Sequence, residues 1–355
     1  MSIRVRSTLP ALLLALVSAP AFAQEPAPKP TPPGEKPTPP SDGKPVPPAV
    51  GGAGANAGGA APVLVGSDGQ PLAPGRIPTD TAADARAAWD SLLAATLGTG
   101  SARKPVTAFS LQIDVEYKQG ARTNNTTALY EYVAPGNVRA RFERSNRETV
   151  RGPDGDWLID PTTRESKRIE RDRDSEQDAR QLDDLVSVAR NFIALTDPKS
   201  LRIARLAKLA APPTGIGKDY AARAMELTWL DVESPDFRLV QAPKANEAAA
   251  LYRVQLGLDP KTALPALALV HEAGGKARIG PSTLFLELAE WYDADGARVP
   301  KVIRTFEVDE ASIPSAAGDA SKLRFRLDPT SDVFLKQARI NPPLTADSFR
   351  PPKKT

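Results

Sequence analysis

Apolar and polar positions alternate with two distinct periods along this chain, and the change from one to the other marks out its elements. Ala85, Ala88, Trp89, Leu92, Leu93 and Thr96 recur at helical spacing, after Thr81-Ala82-Ala83-Asp84 in a capping arrangement and before Gly98 and Gly100. From Phe109 the period falls to two, with Phe109, Leu111, Ile113, Val115 and Tyr117 interleaved by Ser110, Gln112, Asp114 and Glu116, which predicts a strand with one dry and one wet face. The alternation returns over Leu129 to Val133 and over Val138, Ala140 and Phe142. Pro153-Asp154-Gly155 turns the chain into Trp157-Leu158-Ile159-Asp160.

A charged stretch from Arg164 to Asp184 then resolves into a second amphipathic helix, with Leu182, Leu185, Val186, Ala189, Phe192 and Ile193 on one stripe. Further strands are predicted at Ala224 to Leu230, Leu251 to Leu258, Ala266 to Val270, Leu284 to Trp291, Val302 to Val308 and Leu323 to Leu327, two of them joined by the Asp295-Gly296 turn. About ten strands and two helices make a mainly β, α+β domain whose sheet must curl rather than lie flat.

The N-terminal region is built differently. Arg4 and Arg6, the apolar run Leu9 to Val17 and the small-x-small site Ala21-Phe22-Ala23 have the order of a cleavable signal peptide, residues 1–23. The run is too short to span a bilayer, no later segment offers an anchor, and with 0 Cys there is neither a lipidation site nor a disulfide. A soluble, periplasmic mature protein is expected. Residues 24–80 are rich in Pro, Gly and Ala and are expected to form a disordered arm able to tether a partner in the envelope. The folded domain is expected over 81–350, followed by a basic tail, 351–355. Loss of Arg4 and Arg6 from the 46 basic residues leaves 44 against 43 acidic ones, which is no nucleic-acid signature.

Candidate chemistry is sparse. The single histidine, His271, has no second histidine for a metal site and no recognisable serine elbow for a triad. Asp293-Ala294-Asp295-Gly296 lacks the distal oxygens of a calcium loop and reads as a hairpin. Asp183-Asp184 reads as a solvated helix face, and Gly215-Ile216-Gly217-Lys218 lacks the spacing of a phosphate cradle. No cofactor and no catalytic residue are expected. What remains is the array of dry strand faces.

The order of these parts resembles the periplasmic lipoprotein carriers of the LolA/LolB type and the wider outer-membrane lipoprotein-sorting class. The resemblance rests on the leading helix and the Phe109–Tyr117 strand, on Tyr132-Val133-Ala134-Pro135-Gly136-Asn137-Val138, and on the hairpin Asp154-Gly155-Asp156-Trp157-Leu158-Ile159-Asp160-Pro161. It extends to Asp259-Pro260-Lys261-Thr262-Ala263-Leu264-Pro265 and to Trp291 through Arg304. It implies an unclosed, strongly curved antiparallel half-barrel lidded by helices, monomeric and non-enzymatic, that carries a lipid or acylated lipoprotein in a hydrophobic cavity. The inner-face residues would be Phe109, Leu111, Ile113, Val115, Val138, Phe142, Trp157, Ile159, Leu227 and Trp229, with Leu182, Leu185, Val186, Ala189 and Phe192 in the lid. The carriers' lid-tying arginine is replaced here by Ala134, and Arg139 and Arg141 alternate away from Val138 and Ala140. The alternative is an envelope sensor or regulatory module held by the Pro-rich arm.

Overall fold

The computed structural model describes residues 64–97, 105–119, 122–143, 147–170, 175–213, 218–237, 251–272, 284–307, 309, 312, 324–325 and 331–352. The expected signal peptide, most of the arm, residues 353–355 of the tail and Gly215-Ile216-Gly217 lie outside these residues. So does the predicted 323–327 strand except for Arg324 and Phe325.

Helix α1 (Ala83–Thr96) precedes β1 (Ala108–Gln119), β2 (Arg122–Val133), β3 (Asn137–Phe142), β4 (Glu148–Gly152), β5 (Gly155–Ile159) and β6 (Ser166–Arg168). Helix α2 (Glu176–Thr196) leads to β7 (Arg205–Leu209), and α3 (Lys218–Glu226) to β8 (Thr228–Ser234), β9 (Tyr252–Leu258), β10 (Pro265–Glu272), β11 (Leu284–Ala294), β12 (Ala297–Glu307) and β13 (Ser331–Ile340). All thirteen strands join one antiparallel sheet in the order β6-β5-β4-β3-β2-β1-β13-β12-β11-β10-β9-β8-β7, and its edges β6 and β7 stay unpaired with each other. The sheet is open, as expected.

The sheet is also curved. Helix α1 touches β7, β8 and β12, and α2 touches β3, β4 and β12. Strands five places apart in a flat sheet stand about 24 Å from one another, more than the roughly 21 Å length of a fourteen-residue helix such as α1. Reaching β7 and β12 together requires the strands to wrap toward α1. One apolar cluster on this inner face runs through α1, α2 and the strands from β1 to β13.

Four local readings are corrected. The predicted Ala224–Leu230 strand starts late: Lys218–Glu226 is helical, and only Thr228 to Leu230 of that segment belong to β8. Strand β13 escapes the alternation test because the register shifts opposite Gln112/Ile113, so that Val333 and Leu335 point inward, Lys336 and Gln337 stay exposed, and Ala338 and Ile340 resume the inner phase. The N-cap of α1 is Ala82, without a side-chain cap, and Thr81 Oγ1 is buried without a hydrogen bond.

The arm, finally, stops short of residue 80. Residues 64–80 form a strap: Leu72 N–H bonds Leu64 O at 3.0 Å, and Ser67 N–H bonds Ala204 O at 2.7 Å beside β7. Asp68 gathers the Thr79 and Gln70 amides and Arg76, and these bonds hold its carboxyl at about 2. Ile77 packs on the core. The two Asp-Gly turns behave as predicted, Gly155 and Gly296 both adopting positive φ (125° and 78°) between paired strands.

Candidate functional site

The site is the inner face of β1–β3 and the helix that covers it. Alternation along β1 sends Phe109, Leu111, Ile113 and Val115 inward, and pairing across β2 and β3 adds Ala128, Tyr130, Tyr132, Val138, Ala140 and Phe142 to the same layer. The expected lid residues Leu182, Leu185, Val186, Ala189 and Phe192 all belong to this layer. Phe109 stands at its centre, with ring centroids 4.8 Å from Phe192, 5.4 Å from Tyr130 and 5.5 Å from Tyr132. The Tyr130 hydroxyl donates to the Leu185 carbonyl, so the buried phenol is satisfied by α2 itself.

Six expected inner-face residues are therefore together in one buried cluster, which also includes residues of α2. Phe109, Ile113, Val115 and Val138 are 0% exposed. At the centre of this face the Phe192 ring of α2 fills the space beside Phe109.

The other four candidates lie elsewhere. Trp157 and Ile159 pack with Val150 and Phe349 on the outer face, while Leu158 between them turns to the inner core. Trp229 and Leu227 join an outer-face cluster with Leu267, Phe285, Phe306 and Tyr220, while Leu230 and Val232 face inward. Gly257 makes room for that cluster, since a Cβ there would come within 2.7 Å of Leu227 and 2.9 Å of the Trp229 ring. Among the described residues there is also a cavity of 460 Å³, on the outer side of β1–β3, lined by Gln112, Thr127, Leu129, Arg141, Glu143 and Pro161. Its lining mixes polar groups with Ala128, Leu129, Phe142 and Pro161 and includes no residue of α2.

Charge ties α2 to the sheet. Arg151, on the α2 side of β4, donates Nε and Nη2 to Asp156 at 2.8 and 3.0 Å, and Nη2 also reaches Asp183 Oδ1 at 2.8 Å. This corrects the reading of Asp183-Asp184 as a solvated face. Asp183 is fixed by the guanidinium. Asp184 is half-buried, and burial followed by the neighbouring Asp183 charge pushes its carboxyl up to about 7. Arg151 was missed because a single arginine in a five-residue strand gives no periodic signal, and only the β4–β5 pairing sets it beside Asp156. At the other end of α2, Asp197 Oδ2 accepts the Val106 N–H at 3.0 Å. The two ends are thus held differently, one by an ion pair and the other by a buried backbone hydrogen bond.

No helix among the described residues is long and apolar enough to cross a membrane. No family model matches the chain, and no curated protein matches it. Among solved structures it is similar to a putative outer membrane lipoprotein-sorting protein domain from Vibrio parahaemolyticus, with 10% identity over 68% of this chain and 89% of that one, at a TM-score of 0.35. It is similar also to a DUF1329 family protein from Desulfovibrio piger (13% identity, 75% and 97% of the two chains, TM-score 0.38) and to a LolA superfamily protein from Nitrosomonas europaea (9% identity, 75% and 97%, TM-score 0.37).

Proposed function

We propose that this protein is a non-enzymatic periplasmic carrier that holds an acyl chain, of a lipid or an acylated lipoprotein, against the inner face of β1–β3 in place of α2. The observation that carries this reading is how α2 is held: five apolar side chains join the inner layer, while the polar ties at the N-terminal half are one guanidinium, Arg151, and the Tyr130 hydroxyl on the Leu185 carbonyl. Asp197 supplies a pivot at the C-terminal end.

The energies of the exchange are matched. Five buried apolar side chains are worth roughly 10 kcal/mol, at about 2 kcal/mol each. A sixteen-carbon chain entering the same surface gains about 12 kcal/mol, at about 0.8 kcal/mol per methylene. An acyl chain can therefore displace the helix without any specific polar contact, which suits a site whose inner layer is almost wholly apolar. Removal of residues 1–23 would release the carrier from the export machinery, and the Pro-rich arm would then hold it near an envelope partner.

Titrating the mature protein with a fluorescent fatty acid tests this. The probe should bind and raise hydrogen exchange over Glu176–Thr196. Absence of binding both to the wild type and to Arg151→Gln, whose α2 is loosened, would refute the reading.

A further inference from the structure

We propose that the cavity on the outer side of β1–β3 binds a small zwitterion, an anionic group and a primary ammonium joined by a short aliphatic link. Arg141 takes the anion, Glu143 the ammonium, and Leu129 and Pro161 the link. The inference goes beyond the carrier reading and does not depend on it, because the two sites lie on opposite faces of the sheet.

Strand register builds the site in two rows. Gln112 of β1 stands opposite Leu129 of β2, and Leu129 opposite Arg141 of β3. In the next row Asp114 stands opposite Thr127, whose carbonyl accepts the Glu143 N–H at 3.0 Å. Inner-layer residues Ala128, Ala140 and Phe142 alternate with these positions, so Leu129, Arg141 and Glu143 share the outer face. Arg141 and Glu143 stand two residues apart, about 7 Å along the chain.

The ion pairs around the cavity leave three of its polar groups unengaged. Arg139 bonds Glu131 and Glu148, each at 2.9 Å, and so takes up the acid that stands opposite Arg141 in the register. Lys336 and Thr127 both reach Asp114, at 2.9 and 2.8 Å. Gln112, Arg141 and Glu143 line the cavity, and their side chains have no hydrogen bond or ion pair among the described residues, not even Arg141 with Glu143. All three are exposed, so a ligand reaches them without displacing an internal partner.

Charge selects the class of ligand. A bare anion at Arg141 is repelled by the Glu143 carboxylate, and a bare amine at Glu143 by the guanidinium. A molecule that carries both signs satisfies both. The volume of 460 Å³ suits a small organic molecule rather than a lone ion, and Leu129 and Pro161 give its carbon atoms a wall. Two sources share this chemistry: an ethanolamine phosphate, as in a lipid headgroup, and a free α-amino acid with an aliphatic side chain.

The test is calorimetric titration of the mature protein with phosphoethanolamine and with leucine, against inorganic phosphate and ethylamine as controls of a single sign. At least one zwitterion should bind, and more tightly than either control. Arg141→Gln should weaken it about tenfold through loss of a charge-assisted hydrogen bond. Glu143→Gln should also weaken the zwitterion but strengthen inorganic phosphate, since the repelling acid is gone. Both positions are exposed, so urea unfolding of the variants should match the wild type. Binding of phosphoethanolamine alone assigns the headgroup, binding of leucine alone assigns the amino acid, and binding of both supports the shared chemistry. Binding of neither, phosphate held as tightly as the zwitterion by the wild type, or affinities unchanged in both variants overturns the proposal.

Discussion

Helices α2 and α3 cover opposite faces of the same sheet, and the charges that hold them are arranged in opposite ways. On the outer face Glu287 of β11 is 8% exposed and fully engaged: it accepts Arg223 Nη1 of α3 at 2.5 Å, the Tyr220 hydroxyl of α3 at 3.1 Å and Arg304 Nη1 of β12 at 2.9 Å. Despite burial, the arginines hold its carboxyl below the ordinary range, while burial and then the nearby Glu287 charge lift the Tyr220 phenol to about 12. On the inner face Asp184 has no such partners and is shifted the other way. A buried carboxylate with two guanidiniums is a fastening, whereas one without any is a source of strain that a proton relieves. The outer helix is fastened at a charge of the kind that the inner helix leaves uncompensated.

The largest effect expected from breaking this comparison is in the apolar layer. Phe192→Ala removes the ring that meets Phe109 at 4.8 Å and should cost about 4 kcal/mol in urea unfolding. An equally deep loss confined to α2, with β1 and β2 unaffected, would show that the helix is not part of the global core. Next comes the outer fastening. Glu287→Gln leaves Arg223 and Arg304 facing one another, and because both are more than a third exposed the loss is discounted by solvent screening to about 2 kcal/mol. It should appear as faster exchange over Lys218–Glu226.

The pH sign separates the two helices without mutation. A carboxylate held below its ordinary value contributes stability above the unfolded value, 4.5 for glutamate, and that contribution fades as pH falls through the lowered one. Exchange of α3 should thus quicken on acidification while that of α2 slows, and parallel changes in both would erase the distinction. The smallest effect expected is at a turn the two halves of the sheet share. Asp160 accepts the Thr162 and Thr163 amides, Asp259 accepts the Lys261 and Thr262 amides, and each turn then forces positive φ, 61° at Arg164 and 56° at Ala263. Ala263→Gly should raise stability by about 0.5 kcal/mol, relief of the left-handed conformation outweighing the added freedom of the unfolded chain.

Much of the inner face was legible because β1 to β3 each have one wet side. Gln112 and Glu116 tell the reader where Ile113 and Val115 must go. Strand β8 offers no such contrast: Trp229, Leu230, Asp231 and Val232 are all buried, the acid because Arg253 grips it at 2.6 and 2.7 Å. A strand dry on both sides has no phase to read, and size alone favoured Trp229 for the inner side. The same bias misplaced Trp157, whose outer-face burial depends on Phe349 nearly two hundred positions away and on the cation over its ring, Arg168. The tie between Arg151 and Asp183 joins a strand to a helix and leaves no trace in either pattern.

Strand β13 carries a further consequence, for the order of assembly. Strands β1 to β6 form one meander and β7 to β12 another, each held by neighbours close in sequence, and β13 alone hydrogen-bonds to both, to β1 on one side and β12 on the other. Asn341 then clips the join, its side chain accepting from the Thr107 and Ala108 amides and donating to Pro105 O. Local pairing is fast and distant pairing is slow, so the two meanders form early as separate ribbons and await the chain's late-synthesised strand. Until it arrives, each ribbon presents a bare edge along β1 or β12 to any other chain emerging beside it. The step most exposed to aggregation is therefore the last, and a helper that shields those two edges during folding would protect this protein better than one that binds its apolar core.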